Sequence, residues 1–185
     1  MIIRSRNIVR IVLGSALLLS LPLVAMLFTD EMAWGPGDFV LAGVLLVGTG
    51  LLYELAAGST NTTAYRVAVG VALATGVILV WANLAVGLIG SEDNPANLMY
   101  VGVLAVGLVG ALLARLEPRG MARASFATAI AQALVPVVAI ILWQPPMTSG
   151  LVRVLGVNAF FCALWVGSAL LFRRASARLE IQPAA

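Results

Sequence analysis

Long apolar runs, each cut off by a short cluster of charged or turn-forming residues, recur along this chain. They lie near residues 9–28, 38–57, 65–90, 97–115, 123–143 and 151–172. An α-helix rises about 1.5 Å per residue, so roughly 20 residues cross a hydrocarbon core about 30 Å thick, and each run meets that length. The pattern predicts an all-α protein: a polytopic transmembrane bundle of six helices forming a single transmembrane domain over residues 1–185. The third run is the longest, and it is expected either to tilt or to extend past the bilayer at its start.

Composition strengthens this reading. The 185 residues are 62% hydrophobic and only 10% charged, with a mean hydropathy of +1.05, outside the usual range of soluble domains. In a bilayer these stretches are solvated by lipid, and only the links between them need water. The 18 glycines and many alanines suit helices that associate in lipid by close backbone packing.

The absent residue types bear on chemistry. There is no histidine, every one of the 11 basic residues is arginine, and Cys162 is the single cysteine. Bis-histidine haem, histidine-rich zinc or copper sites, Ser-His or Cys-His nucleophile pairs and lysine Schiff bases all need side chains this chain lacks. No catalytic residue, cofactor, metal site or nucleic-acid partner is therefore expected, and an internal disulfide is impossible.

Charge sets the predicted orientation. Ten arginines (4, 6, 10, 66, 115, 119, 123, 173, 174 and 178) fall at alternate ends of the runs, beside Glu54, Glu117 and Glu180. The opposite links carry Asp30, Glu31, Asp38, Glu92 and Asp93 against Arg153 alone. Positive charge is retained on the cytoplasmic side, so both termini are expected in the cytoplasm. The first run has the basic start of a signal peptide, but it is long for a signal core and no clean small-x-small cleavage site follows, so its retention is expected.

The most polar link, Gly90-Ser91-Glu92-Asp93-Asn94-Pro95-Ala96-Asn97-Leu98-Met99-Tyr100, falls on the outer side. Asn94 followed by Pro95 fits an N-cap and first helical position, and Glu92 and Asp93 would sit near the positive end of the fourth helix dipole. An alternative makes Glu92, Asp93 and Asn94, with Asp30, Glu31 and Asp38, an acidic outer mouth that concentrates cations or engages a basic partner. Asn94-Pro95-Ala96 also matches the aquaporin signature tripeptide. It occurs once, in a link, with no arginine directly after it, in a short chain, and the water-channel reading is rejected.

Asn83, Gln132 and Asn158 are polar groups deep in the runs, where an amide needs a partner. Asn83 and Asn158 are each placed about 10 Å below the outer surface and Gln132 near mid-bilayer. Two roles are open: hydrogen-bond glue between helices, or the lining of a small polar cavity beneath the acidic mouth. Arg153 is expected to pair with an outer carboxylate, first Asp38 and second Asp93. Small residues predict close packing at Ala64, Ala68, Ala72 and Gly76 on the third helix, and at Gly102, Gly110 and Ala114 on the fourth. Pro136 lacks the amide that would bond the carbonyl of Gln132, which predicts a kink. Trp34, Trp81, Trp143 and Trp165 lie mostly toward helix ends, as interfacial anchors do.

The stretches TDEMAW at 29–34, DFVLAGVLL at 38–46, WANLAVGLIGSEDNPANLMY at 81–100 and RGMARASFATAIAQALV at 119–135 resemble a family of small bacterial six-helix integral membrane proteins to which no activity is assigned. The resemblance implies a multi-pass protein of the bacterial inner membrane and brings no ligand or catalytic residue with it. The sequence thus leads to a non-catalytic accessory or scaffold element packing within the bilayer against itself or other membrane-protein subunits. The alternative is a small channel or carrier for a cation or polar solute.

Overall fold

The computed structural model describes residues 5–29, 33–58, 60, 62–143 and 149–181. Among these there is no β-strand, and six helices are long and apolar enough to cross a membrane. Chain contacts divide the protein into two compact units, residues 1–58 and 59–185.

The first unit is an antiparallel pair, α1 (Ser5–Ala25) and α2 (Pro36–Ala57). Pro36 opens α2 in the first helical position, where its missing amide costs nothing. The Gly35 amide donates to Oδ2 of Asp38 at 2.8 Å, the carboxylate half of a capping box, and the Asp38 amide donates to the Gly35 carbonyl at 3.1 Å. At the other end of the pair Asn7 Nδ2 donates to Oε2 of Glu54 at 2.7 Å. Between these ends, Leu19 lies against Gly43 and Ile11 against Gly50.

The second unit holds α3 (Thr63–Val86), α4 (Met99–Leu113), α5 (Pro118–Trp143) and α6 (Ser149–Ile181). Its main helix pairs are α5 with α6, α3 with α6 and α4 with α5. Small residues set the approach of α4 to α5. A Cβ at Gly110 would sit 2.7 Å from that of Ala124, one at Gly107 would sit 3.2 Å from Oγ1 of Thr128, and one at Gly120 would sit 2.7 Å from that of Ala114. On α3, Ala68 is fully buried and its carbonyl accepts from Ser168 Oγ at 3.0 Å, while Gly76 faces Leu104 and Trp165. The expected α3 ridge is thus a packing face. The packing face is Gly107 and Gly110 on α4 with Ala114 just past its end; Gly102 meets nothing within 4 Å, being turned roughly 140° around the helix from Gly107 and roughly 80° from Gly110.

Several boundaries differ from the expected ones, each for a local reason. Helix α3 stops at Val86 instead of 90 because Gly87 turns to φ 63°, where a Cβ would collide with the Ser91 carbonyl. Helix α5 starts at Pro118, since proline is well suited to an opening turn. Helix α6 continues to Ile181, carrying Arg173, Arg174 and Arg178 on helical backbone. The short α4–α5 link places Arg115 and Leu116 at φ 48° and 61°, and the hydroxyl of buried Tyr65 donates to the Leu116 carbonyl at 2.5 Å. Trp165 is buried in the second unit, not interfacial, because it packs beside Gly76.

Candidate functional site

The α3–α4 link is built around an asparagine that sequence reasoning passed over. Asn97 is 4% exposed, and its Oδ1 accepts from the amides of Leu88 at 3.1 Å and Ile89 at 2.9 Å. Its Nδ2 donates to the Ser91 carbonyl at 2.7 Å. One side chain therefore serves the two amides that follow the end of α3, as buried polar backbone requires, and shares the Ser91 carbonyl with the Asn94 amide. The available signal was an amide two residues after a proline in a polar link, which looked like part of the cap.

Asn94 does cap, as expected: its Oδ1 accepts from the Ala96 amide at 3.0 Å, with Pro95 next in line. The element it caps is a 3-10 turn, Pro95–Leu98, and α4 begins only at Met99. Glu92 and Asp93 are accordingly farther from the α4 dipole than the sequence suggested, and both are exposed. Asp38 belongs to the first unit, where its carboxylate is held by the Gly35 amide. Asp30 and Glu31 lie outside the described residues.

Two of the three deep amides meet. Gln132 Nε2 on α5 donates to Asn158 Oδ1 on α6 at 2.9 Å. Asn158 Nδ2 donates to the Tyr100 hydroxyl of α4 at 3.0 Å and to the Val154 carbonyl at 2.8 Å. Tyr100 was not anticipated; an aromatic next to the α4 start gave no sign of its inward direction. All three residues are buried. Asn83 is separate: its Nδ2 donates to the Asn97 carbonyl at 3.4 Å, at the end of α3. Oε1 of Gln132 and Oδ1 of Asn83 are buried and have no hydrogen-bond partner among the described residues.

Around this polar centre the core is apolar, with Leu79, Val103, Val135 and Phe161 filling the space between the four helices. The trio has amide and phenol groups but no ionised one, so its chemistry is hydrogen bonding. Among the described residues no three Cys, Asp or Glu side chains gather where a metal ion would be held.

Arg153 is elsewhere in the second unit. It is exposed, on the fifth residue of α6, and lines a cleft of about 410 Å³ between the α3–α4 link, the last part of α5 and the first part of α6. Asn94 and the Gly87–Gly90 backbone line the same cleft, and Pro136, Ala139, Ile140 and Val157 make its apolar walls. Asn83, Gln132 and Asn158 are not among its lining residues.

No protein-family model, curated protein or solved structure matches the chain.

Proposed function

We propose that this chain is a non-catalytic multi-pass protein of a bacterial inner membrane, with both termini cytoplasmic, acting as an accessory or scaffold element. Its partners are the surrounding lipid and copies of itself or other membrane-protein subunits. The observation that carries this reading is the Gln132–Asn158–Tyr100 cluster, in which the deep amides spend their hydrogen bonds on neighbouring helices. Such bonding is what an element built for static packing requires. Broad apolar faces support it too: α1 buries only Ser15, and α2 only Ala42, Ala56 and Ala57. The arginine distribution supports the orientation, and the resemblance noted above supports the bacterial membrane.

The test is purification from native membranes in mild detergent, with identification of every co-migrating chain. Reproducible companions at fixed stoichiometry are expected. A homo-oligomer alone would remove the accessory role and leave self-packing, and a clean monomer would overturn both.

A channel or carrier for a cation or small polar solute is the second reading. The unpartnered acceptors Asn83 Oδ1 and Gln132 Oε1 favour it, since a donor moving through the interior would find them open. Solute flux into vesicles that is abolished by Gln132→Leu would establish this reading over the first.

A further inference from the structure

The cleft lined by Arg153 combines features that a polar-solute path would not have. Its walls are mostly aliphatic, from Pro136, Ala139 and Ile140 on α5 and Val157 on α6, and its charged group is a cation. An acidic mouth that gathers cations cannot include it, because the guanidinium repels them. A volume of about 410 Å³ is within the usual range for ligand sites, about 300–1,000 Å³.

The charge and the walls are also arranged by depth. Arg153 and Asn94 are near the helix ends, Arg153 on the first turns of α6 and Asn94 in the α3–α4 link. Pro136 lies seven residues before the end of α5 and Val157 eight residues after the start of α6, against four for Arg153, so these walls are about 4–6 Å deeper along the helices than the arginine. Ile140 and Val86, both lining the cleft, are exposed apolar side chains, so its rim is at the hydrocarbon-facing surface. A cation at head-group level above an apolar slot is complementary to an amphiphile with an anionic head and an aliphatic chain. Guanidinium presents paired donors to phosphate oxygens, which makes arginine suited to that head group.

We infer that this cleft binds one anionic phospholipid, with its phosphate on Arg153 and the upper part of an acyl chain against Ala139, Ile140 and Val157. The site is independent of the accessory role, since it needs only the second unit and the bilayer. It also differs from the general attraction of anionic lipid to clustered arginines such as those at the other end of α6, which is a surface effect and needs no slot.

Native mass spectrometry of the full chain, released from detergent with added phosphatidylglycerol, tests the inference. One tightly retained lipid per chain is expected, with phosphatidylethanolamine held less well and inorganic phosphate not retained. Arg153→Ala is expected to weaken phosphatidylglycerol binding about tenfold, the loss of one charge-assisted contact. Arg153→Lys should recover part of it, and Ala139→Leu, which fills the slot, should weaken it with the arginine intact. Arg174→Ala, at the far end of α6, should leave the retained lipid unchanged. Thermal unfolding of each variant separates a lost site from a lost fold. Equal retention by Arg153→Ala and the parent overturns the inference, as does equal loss in Arg174→Ala. Phosphate binding as tight as that of the lipid would make this an anion site instead and would overturn the lipid assignment.

Discussion

Gln132 on α5 donates to Asn158 on α6 across 2.9 Å, and Asn158 donates in turn to Tyr100 on α4, so three helices share one buried hydrogen-bonded centre. In lipid such bonds contribute about 0.6 kcal/mol on average, whereas a buried partner left without one costs about 1–3 kcal/mol. Asn158→Leu should therefore destabilise the protein by about 1–3 kcal/mol, because it strands both Gln132 and Tyr100. Combining Asn158→Leu with Gln132→Leu and Tyr100→Phe should recover a large part of that loss. Unfolding in mixed micelles with a denaturing detergent measures both; a triple variant no better than the single would show that the trio's value is not in mutual bonding.

Gly110 and Ala124 set how closely α4 approaches α5. A methyl group on Gly110 would sit 2.7 Å from the Ala124 Cβ, well inside van der Waals contact. Gly110→Ala should cost about 1–3 kcal/mol as overpacking, and Gly110→Leu should prevent folding. Ala124→Gly in the same chain removes the 2.7 Å contact but leaves the Ala124 Cα at 3.2 Å and adds a mid-helix glycine, so the double variant should regain part of the stability lost by Gly110→Ala. A double-mutant cycle with no coupling between the two sites would contradict the packing described.

Asn97 is the organiser of the α3–α4 link, and Asn94 is secondary. Asn97→Ala removes the acceptor of the Leu88 and Ile89 amides and the donor to Ser91. Faster hydrogen exchange at Leu88 and Ile89, and earlier proteolysis between residues 87 and 94, are the expected results. Asn94→Ala loses one bond to Ala96 and should change exchange less.

The hydrophobic runs made the six helices legible, because lipid imposes a length on every crossing and the polar links mark where each crossing ends. The deep amides were legible as groups needing partners, and Gln132 and Asn158 found each other. Their third partner, Tyr100, was not, since an aromatic at a helix start reads equally as an anchor or as core. Asn97 was hidden by its neighbours: in a link with two acids, a proline and a second asparagine, only the fold shows which amide faces the backbone. The Gly102 assignment failed because spacing fixes which residues share a face but not which face meets α5; Gly107 and Gly110 do so. The cleft was invisible altogether, since it is assembled from three separated stretches, and of its lining Asn94, Pro136 and Arg153 had been singled out for other roles.

Arg115 and Leu116 occupy the left-handed region in succession, a conformation that costs about 1–2 kcal/mol for each residue with a side chain. Arg115 is exposed, so its replacement by glycine relieves that cost without removing core contacts. Glycine gives back about 0.5–1 kcal/mol through the freedom of the unfolded chain. Arg115→Gly should thus be neutral or stabilising by up to about 1 kcal/mol, and Arg115→Val, branched at Cβ, should destabilise. Tyr65→Phe should cost about 1 kcal/mol by releasing the Leu116 carbonyl. Thermal unfolding of the three variants checks the order.

The orientation proposed from the charge distribution puts the α3–α4 link and the α6 end on opposite sides of the membrane. The chain offers a clean test, because Cys162 is its only cysteine and lies within α6. In a Cys162→Ala background, Ser91→Cys places a thiol on an exposed loop residue and Ala177→Cys places one on the exposed end of α6. A membrane-impermeant maleimide added to intact cells should label the first and not the second, and permeabilisation should make both reactive. The reverse pattern would put Arg153 and its cleft on the cytoplasmic side. The lipid would then be drawn from the cytoplasmic leaflet, and the ten arginines would face outward against the positive-inside rule. Labelling of both positions in intact cells would put them on one side, which needs an even number of crossings between them where α4, α5 and α6 make three, and the six-crossing arrangement itself would fall.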